Sequence, residues 1–263
     1  MTQGLIQKYN GGVMELTEHL RKPARHIDEP SGIVVLRWLE AGWADFRAHF
    51  ARSILTGLAL AVIGWGIALG LGAIGQGWMI LPVIAGAMML GPMATVGLYR
   101  VSRRRAGLGG GGIAAPGQIF LVSVVMMVLV LAWIRSATLL FAVFFGLRPF
   151  AGFAETLMTM FTTPAGIGLF LVGSAVGGLF AALGFAVAAF SFPMLAHRDI
   201  DGFSAMALSF NASTQNFRLS VMWGATVTVL IGISLATGLI ALIPIFPLLG
   251  YATWHAYADL FES

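Results

Sequence analysis

Two groups of residues have the types that do chemistry. His197, Arg198, Asp199 and Asp201 stand together, and His255 follows near the C-terminus. Imidazole nitrogens and carboxylate oxygens are ligands that zinc accepts. Around these residues, however, no HxxxH or HxxE spacing sets two ligands on one helix face, so no metal site is expected. A second group is Arg100, Arg103, Arg104 and Arg105, followed by a glycine run through Gly112. Glycines beside cations suggest a phosphate cradle, but the GK[ST] ending of a P-loop is missing. There is no GxSxG elbow, no HExxH and no nucleotide fingerprint. No pair of acids lies inside an apolar run, so a proton relay has no support either. The sequence therefore predicts a protein that is not an enzyme and has no catalytic residue, cofactor or metal. The charged residues read instead as a rim. Arg198, Asp199 and Asp201 are expected to close the end of one membrane helix against Trp254, His255 and Tyr257 of another.

Composition says which elements must carry that rim. Of 263 residues, 58% are hydrophobic and 10% are charged. Soluble domains carry about 25% charged residues. The mean hydropathy of +0.88 belongs to a membrane protein. The absence of cysteine excludes disulfides and thiol chemistry. A net charge of +4 is no sign of nucleic-acid binding, because no basic stripe with interleaved aromatics accompanies it. No cleavable signal peptide is visible.

The chain is organised around a charge-free stretch from Thr156 to His197. A bilayer span needs about 20 apolar residues, so a membrane helix over about 164–195 is expected to be the hub. Charge-poor runs at 53–99 and 219–258 are each too long for one crossing and divide at glycine turns. The fold class is thus an all-α membrane protein: a six-transmembrane-helix bundle with amphipathic interfacial helices. The spans fall at about 53–73, 78–99, 118–144, 164–195, 217–235 and 239–257. Residues 1–32 form a polar cytoplasmic tail, and 53–263 form the transmembrane domain. Residues 33–52 form an amphipathic helix with Leu36, Leu39, Trp43, Phe46 and Phe50 as its stripe. That helix lies either in the interface plane or against the bundle's cytoplasmic end. Asp201 is placed to cap a further helix.

Small residues predict where helices meet. Gly173, Gly177 and Ala181 lie four apart, as do Ser220, Gly224, Thr228, Gly232 and Ala236. Such seams let backbones approach closely. The fourth and fifth spans are expected to pack along Gly173, Gly177, Ala181, Gly224, Thr228 and Gly232. Thirteen of the 15 Lys and Arg fall on one side of six spans. The positive-inside rule puts both termini in the cytoplasm.

Several segments together resemble a bacterial family of uncharacterised integral membrane proteins grouped under a domain-of-unknown-function label. They are Gly-Trp-Ala-Asp-Phe-Arg at 42–47, LGPMATVGLYRVSRR at 90–104, LAWIRSATLLFAVFFGL at 131–147, SFPMLAHRDIDGFSAM at 191–206 and LLGYATWHAYADL at 248–260. The chain departs from the family's pattern at Arg100 and His197, where relatives often carry an acid. The resemblance implies the fold and a bacterial inner-membrane location, and no activity. Two functions are then expected. One is an accessory or scaffold subunit that packs on a membrane-protein partner or on its own copies, within the lipid bilayer and without nucleic acid. A respiratory or assembly complex is one such setting. The other is a small-solute or lipid transporter, suggested by proline-bent helices and a weak echo between residues 94–99 and 252–257.

Overall fold

The structure is a computed structural model that describes residues 23–75, 83, 94–107, 112–146 and 153–262. The polar tail up to residue 22, most of the expected second span and most of the glycine run lie outside these residues.

Helices account for most of what is described. In chain order they are α1 (Ser31–Ala48), α2 (Phe50–Ala73), α3 (Val96–Arg105), α4 (Pro116–Phe145) and α5 (Phe153–Thr162). They continue with α6 (Pro164–Ala188), α7 (Ser191–His197), α8 (Gly202–Gln215), α9 (Phe217–Ala236) and α10 (Leu242–Phe261). Local chemistry sets several ends. Pro116 and Pro164 sit in the first turns of α4 and α6, where the missing N–H costs nothing. The Thr163 hydroxyl accepts from Gly166 N at 3.0 Å. Asp201 caps α8 as expected, its carboxylate accepting from Ser204 N at 2.8 Å. The turn between α9 and α10 has Gly238 and Leu239 at positive φ. The expected fourth span is broken near its C-terminal end, where residues 189–190 separate α6 from α7.

By length and composition, four helical segments among the described residues suit a membrane: α2, α4, α6 with α7, and α9. All four are largely exposed within the molecule, as lipid-facing helices must be. The helix that lies inside is α10. Its buried residues include Phe246, Leu249, Tyr251, Ala252, Trp254, Ala256, Tyr257, Leu260 and Phe261. The hub expected at 164–195 is central only at its end: of α6 just Gly166, Gly184 and Ala188 are buried, whereas residues 189–195 all lie in the core.

Close backbone approach seats α10. A Cβ built on Gly42 would stand 2.8 Å from Ala252 N, and one on Gly57 only 1.9 Å from Ile243 O. A Cβ on Gly64 would meet the Leu239 side chain at 2.6 Å. Numbers rise along α1 and α2 as they fall along α10, so the pairing is antiparallel. Trp65 closes its far end by donating to Gly238 O at 2.7 Å. Higher order thus comes from three glycines spaced along the first two helices, each opposite α10 or the turn before it.

The stripe on α1 is also reassigned. Val34, Val35, Trp38, Gly42, Asp45 and Phe46 are buried against α10 and α9. Ile33, Leu36, Trp43 and Phe50 point outward. Of the expected stripe, only Phe46 is buried, because α1 turns a different face to the bundle. The inward face carries the glycine that α10 requires, and the outward face carries apolar bulk.

Candidate functional site

The C-terminal half of α10 and the residue that follows it present three polar side chains in different directions: His255, Asp259 and Glu262. Each is met by a different element.

His255 reaches α1. Its Nε2 lies 2.9 Å from Asp45 Oδ2. Arg105, at the end of α3, donates to Asp45 Oδ1 at 2.8 Å and to Ala44 O at 2.9 Å. Asp45 is only 3% exposed. Burial pushes its carboxyl up, but the His255 hydrogen bond and the charges of His255 and Arg105 hold it below the usual carboxylate range. An ionised Asp45 can only accept, so His255 donates through Nε2.

Asp259 gathers the N-terminal strap at 23–30. Arg25 pairs with its carboxylate and also donates from Nε to Asp259 O at 2.7 Å. Trp38 Nε1 and Arg37 Nη2 donate to Asp259 Oδ2 at 2.9 and 3.2 Å. Asn216 fixes the strap from the other side: its Oδ1 accepts from Ile27 N and its Nδ2 donates to Arg25 O.

Glu262 receives α7. Its Oε1 accepts from Arg198 Nε and Nη2 at 2.9 and 2.7 Å, and from the Tyr257 hydroxyl at 2.7 Å. His197 Nδ1 stands 3.2 Å from the same oxygen and 3.1 Å from the Tyr257 hydroxyl. Arg198 also donates to Phe261 O at 2.8 Å and lies over the Tyr257 and Phe261 rings. Burial raises the Glu262 carboxyl, but hydrogen bonds from His197 and Tyr257 and the Arg198 charge bring it down to about 2.

The expected rim residues are thus dispersed among separate jobs. Arg198 and Tyr257 do meet, through Glu262. Trp254 is fully buried and packs edge-on to His197. His255 turns away from them to Asp45, so the two imidazoles serve different carboxylates. Asp201 caps α8, and Asp199 is exposed. Among the described residues, no group of three or more His, Cys, Asp or Glu is placed to hold a metal. Sequence reasoning missed Asp45, Asp259 and Glu262, and it named Arg105 only beside the glycine run and not as the partner of Asp45. Asp45 had a signal: it lies three residues after Gly42 and seven after Trp38, on the face that turns inward.

The packing residues are placed otherwise than expected. A Cβ on Gly177 would meet the Trp133 indole of α4 at 2.9 Å. Gly173 has only Leu169 of its own helix nearby, and Ala181 and Thr228 are exposed. Gly224 does face α6, through Phe185 at 3.7 Å, whereas Gly232 has nothing within 4 Å. The α6 notch at Gly177 takes an aromatic ring from α4, and α9 comes close to α6 where Gly224 faces Phe185.

The low Glu262 value gives a pH dependence with a definite sign. A carboxyl depressed from 4.5 to about 2 stabilises the fold fully above 4.5 and loses that contribution as pH falls through about 2. Thermal unfolding in detergent should show the gap between the native chain and Glu262→Gln constant from pH 8 to 5. It should narrow below pH 4.5. A gap independent of pH down to 2 would show that Glu262 is not ionised in this cluster.

Residues 80–197 match the model of a family described as "Predicted integral membrane protein (DUF2189)". No curated protein and no solved structure matches the chain. With several helices suited to crossing a bilayer, the protein is a multi-pass integral membrane protein.

Proposed function

We propose that the chain is an accessory or scaffold protein of the bacterial inner membrane, with both termini cytoplasmic, that packs on partner membrane proteins. The observation that carries this reading is the state of the small residues on the long apolar helices. A Cβ on Gly66, Gly70, Gly178 or Gly232 would meet nothing within 4 Å among the described residues. Glycine costs a helix roughly 0.5–1 kcal/mol relative to alanine. Inside the fold, Gly42 and Gly57 have a reason to be glycine, since α10 lies against them. Gly66 and Gly70, on the same run of helix, have no such neighbour among the described residues. Small residues at i and i+4 on a lipid-facing helix suit close approach by a second membrane helix. The histidines and carboxylates of the rim are meanwhile engaged with one another, which fits a structural role for them.

Gly66→Leu with Gly70→Leu tests this. No described residue opposes either side chain, so the variant should unfold at the native temperature. Mild-detergent extraction and native electrophoresis should show the native chain in a larger species that the variant fails to form. A native chain migrating alone at its own mass would sink the proposal. A reporter fused after residue 263 should be active only inside the cell, and activity outside would overturn the orientation.

A further inference from the structure

The elbow between α1 and α2 carries an arginine that the rim does not use. Arg52 is exposed in the first turns of α2, where the helix enters its apolar run. Among the described residues it has no carboxylate partner: the nearby Asp45 is already shared by His255 and Arg105. Beside it lies a shallow, open depression lined by Arg52, Leu55, Thr56, Ala59, Leu60 and Ala94. The lining is mostly apolar, with the guanidinium at one end and the Thr56 hydroxyl one turn along. On the same elbow, α1 turns Ile33, Leu36 and Trp43 outward and α2 begins with an exposed Phe50, a stripe suited to the acyl boundary of a leaflet.

We propose that this depression binds an anionic phospholipid of the cytoplasmic leaflet. Its phosphodiester pairs with Arg52, and one acyl chain lies along Leu55, Ala59 and Leu60. Charge and shape choose the occupant. An exposed guanidinium at the level where α2 becomes apolar meets headgroup phosphates and takes them bidentately. A soluble anion would gain nothing from the apolar floor, and a zwitterionic lipid would bring its own cation to the arginine. One basic residue near the surface of an anionic leaflet is worth about 1 kcal/mol, which corresponds to about a fivefold preference.

The test is native mass spectrometry of the purified full chain in detergent, with phosphatidylglycerol and phosphatidylcholine of identical acyl chains. The native chain should retain phosphatidylglycerol about fivefold more. Arg52→Gln should abolish the preference, and Ala59→Trp should lower retention by filling the groove. Arg104→Gln, a loss of exposed charge elsewhere, should leave it intact. Arg52 and Ala59 are both exposed, and unchanged unfolding temperatures will show that the variants fold. Equal retention of the two lipids would overturn the site. So would equal effects of Arg52→Gln and Arg104→Gln, which mean diffuse attraction. Displacement of the lipid by millimolar inorganic phosphate would identify a plain anion site and overturn it as well.

Discussion

Gly57→Ala will unseat α10 from α2. The added methyl would lie 1.9 Å from the Ile243 carbonyl oxygen and 2.7 Å from its carbonyl carbon and Cα. These are backbone atoms, so no side-chain rotation relieves the overlap, and the two helices must separate. Overpacking costs typically 1–3 kcal/mol and occasionally more. With backbone on both sides, about 3 kcal/mol is expected, measured by thermal or denaturant unfolding in detergent. Gly42→Ala should cost less, since its nearest atom, Ala252 N, is 2.8 Å away. Gly66→Ala is the internal control: with no described residue within 4 Å, it should be neutral or slightly stabilising. If Gly57→Ala and Gly66→Ala behave alike, the close pairing of α2 with α10 is wrong.

Hydropathy shows α10 as the span expected at about 239–257 but hides its central place, and the reason lies in what surrounds it. Apolarity marks helices that face lipid, and α6 is the most continuous such run, so it reads as the centre. Inside the bundle a side chain must satisfy its polar groups against protein. Tyr251 reaches the Ser53 hydroxyl at 3.1 Å, and His255 and Tyr257 reach carboxylates. These residues lower the apparent hydropathy of the most buried helix. The small-residue seams are legible as seams, but periodicity does not name the partner. Gly177 accepts Trp133 from α4, and nothing in its spacing distinguishes that indole from α9. The cap at Asp201 is legible because it is local. The clamps on Asp45, Asp259 and Glu262 join residues 200 or so positions apart, or cross from α7 to the end of α10. No pattern within a window contains both partners. The inward face of α1 is a middle case. Gly42 and Asp45 share it with Trp38, and the acid conceals the stripe because a carboxylate reads as solvent-facing.

Arg198→Leu will open the junction between α7 and α10. The guanidinium is 8% exposed and makes two bonds to Glu262 Oε1 and one to Phe261 O. Removing it leaves Glu262 with His197 and Tyr257, and leaves the Phe261 carbonyl, at the end of α10, without that donor. Breaking one side of a buried pair costs about 3–5 kcal/mol. Glu262 is 20% exposed, so water softens the loss, and about 2–3 kcal/mol is expected. Replacing both partners tests whether stranded charge is the cause. Arg198→Leu with Glu262→Leu should recover at least half of the loss, because neither charge is then left without its partner. The native chain contains no cysteine, so Ser191→Cys, at a fully buried position on α7, gives a single thiol that reports the opening directly. Its labelling by a water-soluble maleimide should be slow in the otherwise native chain and several-fold faster once Arg198→Leu is added. Unchanged labelling together with an unchanged unfolding temperature would show that Arg198 does not hold α7, leaving the close-packed α7 face of Phe192, Met194 and Leu195 as what joins it to the core.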